Sequence, residues 1–143
     1  MCRRPRRNHA PGFKAKVGAG GDQGRSKEPF QNIPSAIKFI SYEPALGPLR
    51  SPKYGPYPDW LISGGESGPG ARALDPQWVR DIIADCRRRG VAPFHKQWGS
   101  YASNPLVAER GLTLDEAKRM DRYGKGGGLL DGKLVREFPP PIQ

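Results

Sequence analysis

Cysteine, histidine and long apolar runs are all scarce in this sequence. Two cysteines, Cys2 and Cys86, and two histidines, His9 and His95, stand among 143 residues. Two thiols so far apart allow at most one disulfide and cannot supply a Cys-rich zinc or iron–sulfur site. The histidines and scattered carboxylates have no metal-ligand spacing, and no Ser-His-Asp set is legible, so no metal site is expected. No apolar run approaches the ~18–20 residues of a membrane span, which excludes a transmembrane helix and a membrane partner. The basic start, Met1 to Arg7, is followed by no apolar segment and so is not a secretory signal. Pro5 and Pro11 argue against the amphipathic helix of an organelle transit peptide. The chain therefore reads as cytoplasmic, with Cys86 a reduced, buried thiol.

What is abundant is glycine, proline and positive charge. The 19 glycines and 16 prolines make up about a quarter of the chain, near the level that signals irregular stretches. The net charge of +10 is unevenly spread. Residues 1–28 carry eight Lys/Arg against Asp22 and Glu28, whereas 29–143 carry sixteen against twelve acids. The first stretch has no apolar period and reads as a disordered, solvated basic leader. A weak nucleic-acid contact through Arg3–Arg7 is the alternative use of its charge.

Order is expected from about Ile33, in residues 29–143. Ile37–Glu43 is a β-rich run closed by Pro44, and Asp59–Ser63 is a second, broken by Gly64-Gly65. Asp75-Pro76 opens a helix, with Asp as cap and Pro at the first position. Apolar residues at 78, 79, 82, 83 and 86 give it one stripe. Arg87–Arg89 suit its negative end, and Gly90 suits the left-handed position beyond it. Phe94–Trp98 is a third strand. Thr113-Leu-Asp-Glu116 has capping-box spacing for a short helix to about Met120. Asp131-Gly132, flanked by Leu129-Leu130 and Leu134-Val135, marks a hairpin. The strand–helix–strand order over 59–98 implies a right-handed crossover and parallel pairing. The fold class is thus α/β: a partial parallel β/α barrel-like unit of three main strands, one long helix and a C-terminal hairpin.

Ligands of parallel α/β folds sit at the carboxyl ends of the strands. The first run ends in Tyr42-Glu43 and the second in Gly64-Gly-Glu-Ser-Gly68; the third carries Lys96-Gln97-Trp98. Glu43 and Glu66 are candidate acid and base, or acceptors for a ligand amine or hydroxyl. Equally, each could cap a loop or pair with Arg72 or Lys96. Gly64, Gly65, Ser67 and Gly68 would let a backbone approach a ligand closely, and Arg72, Lys96, Gln97 and Trp98 would complete the binding set. Strand alternation places Lys96 with Trp98 on one face and His95 with Gln97 on the other. His95 is expected to be a packed or surface histidine rather than a catalyst.

Four stretches together resemble a known set: Phe39-Ile-Ser-Tyr-Glu-Pro-Ala-Leu-Gly-Pro48, Asp59 to Arg72 with its Gly-Gly-Glu-Ser-Gly-Pro-Gly-Ala-Arg ending, Phe94-His-Lys-Gln-Trp-Gly99, and Gly128-Leu-Leu-Asp-Gly132. The chain from about Ile33 to Pro139 is similar to the phage gene product 37 / gene product 68-like family, an uncharacterised group of phages and bacteria. Members usually carry an N-terminal half with three clustered cysteines, like the cluster-binding loop of radical S-adenosylmethionine enzymes. The resemblance implies a β/α barrel, partial or complete, with Glu43, Glu66, Lys96 and Gln97 near its mouth. It also implies a parent that uses an iron–sulfur cluster and S-adenosylmethionine. The cysteine half has no counterpart here and residues 1–28 look unrelated to it, so the expectation is a C-terminal fragment of a phage or prophage-type protein. Such a fragment would hold no cofactor of its own and would not be a complete enzyme. Two other functions remain open on the residues alone: a binding module for nucleic acid or a phosphorylated ligand using the leader, Arg72 and Lys96, and a metal-independent hydrolase or transferase using Glu43 and Glu66.

Overall fold

In a computed structural model, residues 37–50 and 57–142 are described; the leader expected over 1–28 lies outside them. Among the described residues the architecture is mixed α/β, built on a three-stranded parallel sheet. Its strands are β1 (Phe39–Tyr42), β2 (Trp60–Gly64) and β3 (Ala92–Gln97), in the order β1-β2-β3. The sheet is not closed. β1 pairs only with β2 among the described residues, and the outer side of β3 is met by an antiparallel bridge between Phe94 and Arg136.

The crossover from β2 to β3 is the helix α1 (Pro76–Arg88). Asp75 caps it by accepting from the Gln77 N–H at 2.8 Å, with proline in the first turn as expected. Arg87 and Arg88 lie in its last turn, and Gly90 takes φ +69° just beyond it, a conformation that favours glycine. Val79, Ile82, Ile83 and Cys86 are buried. The stripe therefore packs on the sheet: Ile82 and Cys86 join Leu61, Val91 and Ile40, while Val79 and Ile83 join Trp98, Leu74, Ala45 and the hairpin residues Leu130 and Val135.

The other sheet face is aromatic at its lower end. Phe39 and Trp60 lie 6.3 Å apart between ring centres, Trp60 and Phe94 5.6 Å, and Phe138 packs 5.5 Å from both Trp60 and Phe94. Phe138 remains 67 % exposed, so this cluster stays partly open to solvent.

Two short helices, α2 (Pro105–Ala108) and α3 (Leu114–Met120), follow a 3-10 turn at Tyr101–Ser103. Thr113 and Glu116 form the expected capping box at α3. The hairpin strands β4 (Leu129–Leu130) and β5 (Lys133–Leu134) flank Asp131 at φ 50° and Gly132 at φ 78°. Two successive positive φ values are those of a type I′ turn, which matches the strand twist. Arg80 on α1 ties this hairpin to the helix layer, with hydrogen bonds of 2.7 Å to each Glu109 oxygen and of 3.0 and 2.7 Å to Asp131.

A buried polar centre that the sequence reading did not identify holds the C-terminal segment. Asp121 is fully buried and accepts from Asn104 Nδ2 at 2.9 Å, Gly128 N–H at 3.0 Å, Leu129 N–H at 2.8 Å and Tyr123 N–H at 3.3 Å. A carboxylate supplied with that many donors can be buried without a cation. Gly127, at φ +82°, is pressed against Asp121 and Asn104 so closely that a Cβ would overlap both side chains. The glycine-rich stretch 124–128 is thus the loop that wraps this carboxylate.

Candidate functional site

The three parallel strands bring their carboxyl ends to one edge. There, Glu43, Pro44, Gly65, Glu66, Ser67, Lys96 and Gln97 line an open cleft of about 280 Å³. The register sets Ser41 opposite Ile62 and Ile62 opposite Phe94, one step below this edge.

Glu43 lies just past β1. Ser41 Oγ donates to its Oε2 at 3.1 Å, and Lys96 Nζ stands 3.4 Å from its Oε1 as an ion pair. Oε1 is shielded from solvent and receives no hydrogen bond. Gly64 makes room for this carboxylate, because a Cβ there would collide with it. Gly65 serves a different contact: its Cβ would overlap the Trp98 carbonyl group, and a Cβ on Gly99, at φ +77°, would overlap that of Glu66. The ends of β2 and β3 thus approach main chain to main chain, with Gly65 N–H donating to Gln97 O at 2.9 Å.

The alternation expected along β3 is broken by a bulge. Ser63 pairs with His95 but Gly64 pairs with Gln97, leaving Lys96 as the extra residue. Lys96 and Gln97 therefore both line the cleft, whereas His95 and Trp98 share the core side with ring centres 4.3 Å apart. This corrects the pairing of Lys96 with Trp98. Trp98 is fully buried, donates from its indole N–H to Leu129 O at 3.0 Å, and does not line the cleft. His95 is also fully buried, with Nδ1 3.2 Å from Ser63 Oγ, and burial pushes its pKa down to about 4. Of the packed and surface positions expected for it, His95 takes the packed one.

Gln97 donates from Nε2 to Gly65 O at 3.2 Å, which fixes the amide orientation, since only the NH₂ end can meet a carbonyl. Its Oε1 then points away, shielded and without a hydrogen bond. Glu66 is engaged by Arg72. The guanidinium donates to both carboxylate oxygens, at 2.8 and 2.6 Å, and the Arg72 N–H adds a third bond of 2.8 Å. These bonds from Arg72 hold the Glu66 carboxyl at about 2. Of the two readings open for Glu66, the structure has the ion pair with Arg72. Gly68, at φ +109°, sits exposed in the loop between Glu66 and Arg72 and does not line the cleft; Ser67 does.

Cys86 does not suit a cluster ligand. Its thiol is buried against Leu61, Ile82 and Val91, and burial first, then the nearby acids, push its pKa up to about 11, so it is not a thiolate. Among the described residues no group of three His, Cys, Asp or Glu side chains could hold a metal ion, and no helix is long and apolar enough to cross a membrane.

No curated protein and no solved structure matches the chain. A family model matches residues 17–139, from inside the stretch read as leader to the proline-rich end. The chain therefore belongs to the family described as protein of unknown function (DUF5131).

Proposed function

We propose that the described residues are a sector of a β/α-barrel protein whose rim binds a small polar molecule at Glu43, Gln97 and Ser67, in the cleft that Lys96 also lines. The observation that carries this reading is the cleft itself, where side chains from three strand ends converge at the carboxyl edge of a parallel sheet. That edge is the usual ligand position of such sheets. The layering of the sheet supports the barrel reading. α1 covers one face; the other runs from Phe39 and Trp60 at the bottom, through Ser41, Ile62 and Phe94, to Glu43, Gly64 and Lys96 at the top. Apolar below and polar above is how a barrel interior leads to its site.

The resemblance to the phage gene product family supports a radical-enzyme-like parent, of which this chain would be a C-terminal fragment. The residues described do not suit a cluster, Cys86 being a buried, protonated thiol. Glu66, held by Arg72, leaves Glu43 as the carboxylate available to a ligand.

The test is a titration of the ¹⁵N-labelled chain with butylammonium, succinate and inorganic phosphate in turn, followed by backbone amide shifts. At least one probe should move the amides of Gly64, Gly65, Ser67 and Gln97 in a saturable way. If none does at millimolar concentration, the rim is not a ligand site.

A further inference from the structure

Resting on that reading, we infer that the ligand meets the cleft with a cationic nitrogen, an ammonium group that takes the place of Lys96 beside Glu43. Glu43 and Gln97 both line the cleft, and Oε1 of each is shielded from solvent and accepts no hydrogen bond. Both are acceptors, and a buried acceptor left unmade is costly. Water satisfies such atoms only where it can reach them. A ligand that supplied only acceptors, such as an ionised carboxylate, would leave both unmet.

Lys96 is a poor permanent partner for Glu43. Its Nζ stands at 3.4 Å, an ion-pair distance rather than a hydrogen bond of the 2.7–2.9 Å that charged pairs reach, and its side chain is 58 % exposed. An exposed lysine released from one carboxylate returns to water at little cost. Arg72 is held by Glu66 through two guanidinium hydrogen bonds and a third from its backbone N–H, and Arg136 is engaged with the Lys96 carbonyl at 3.3 Å, so neither competes for Glu43. Glu43 itself is held in place by Ser41 through its second oxygen and by the room that Gly64 leaves. The geometry is therefore a fixed carboxylate fronted by a displaceable ammonium, with the Gln97 amide held in the same cleft.

Displacement gives the reading a sign that distinguishes it. If a ligand ammonium replaces Lys96, removing Lys96 must strengthen binding; if Lys96 itself holds a ligand anion, removing it must weaken binding. The experiment titrates butylammonium, with butanol as the neutral control and inorganic phosphate as the anion, into the ¹⁵N-labelled full chain and its variants. Butylammonium should move the Gly64, Gly65 and Gln97 amides while butanol does not. Lys96→Met should tighten it about two- to fivefold, the size of a surface ion pair removed. Glu43→Gln should weaken it about tenfold or more, as loss of a charged hydrogen bond does. Gln97→Met serves as a second acceptor deletion should the Glu43 variant not fold, and should weaken binding as well.

Phosphate shifts that Lys96→Met abolishes, with none from butylammonium, would overturn the cationic ligand and leave the ligand site standing. Silence from butylammonium and phosphate, and from succinate as well, would overturn both. Butylammonium binding that neither acceptor variant weakens would overturn the assignment of Glu43 and Gln97.

Discussion

Lowering the pH from 6.5 to 5 should cost this fold about 2 kcal/mol through His95 alone. The imidazole is fully buried between β2, β3 and the Trp98 ring, and burial holds its pKa near 4 against 6.5 in an unfolded chain. The neutral form is thus the one the fold accepts. For a base whose folded pKa is depressed, the unfolded chain takes up the proton first. Stability is complete above about 6.5 and drains away as the pH falls toward 4. A shift from 6.5 to about 4, at 1.36 kcal/mol per unit, totals about 3 kcal/mol over the whole range. The span from 6.5 to 5 takes roughly the first 2 kcal/mol of that and ends before most carboxylates begin to titrate. The assay is urea unfolding at half-unit pH steps, comparing the chain with His95→Gln, which keeps a polar group near Ser63 but cannot titrate. The midpoint should fall with pH in the parent and stay level in the variant. A level parent, or an equal slope in both, would show that His95 is not buried neutral.

Four further variants test the core, the loops and an exposed ion pair. Ile82→Ala, at a position 3 % exposed against Leu61 and Cys86, should cost about 2–5 kcal/mol by chemical unfolding, and a change below about 0.5 kcal/mol would mean that the helix stripe is not packed. Asp121→Ala strands four donors, so it should cost about 3 kcal/mol or more and release the amides of Gly128 and Leu129 to rapid hydrogen exchange. Gly65→Ala drives a Cβ into the Trp98 carbonyl and should cost about 2 kcal/mol or more, whereas Glu66→Gln, at an exposed pair, should leave the melting midpoint nearly unchanged.

The elements that were legible in the sequence are those specified by neighbours a few residues away. The Asp75-Pro76 start, the Thr113–Glu116 box and the Asp131-Gly132 turn each need only local geometry, and each stands within a residue of its expected place. The convergence of Glu43, Lys96 and Gln97 followed from parallel pairing, a topological rule that needs no side-chain detail. What was not legible depends on long-range closure. The extra residue at Lys96 appears only when β3 is aligned with β2, and it reversed the expected neighbours of His95 and Trp98. The Asp121 centre joins residues up to 17 apart through Asn104 and depends on the glycine-rich stretch wrapping it; that glycine run was the available signal. The choice for Glu66 turned on where Arg72 points, which spacing does not fix.

The bulge on β3 divides one short peptide into two kinds of position. His95 and Trp98 are locked by the helix layer and the hairpin, and any exchange there is felt by the whole molecule. Lys96, the residue without a strand partner of its own, is 58 % exposed and can be replaced without disturbing either neighbour. A lineage of this fold can thus retune what its rim prefers by altering a single codon, while the scaffold on both sides stays unchanged. Diversity at position 96 beside constancy at 95 and 98 is the pattern that such a division of labour would leave among relatives.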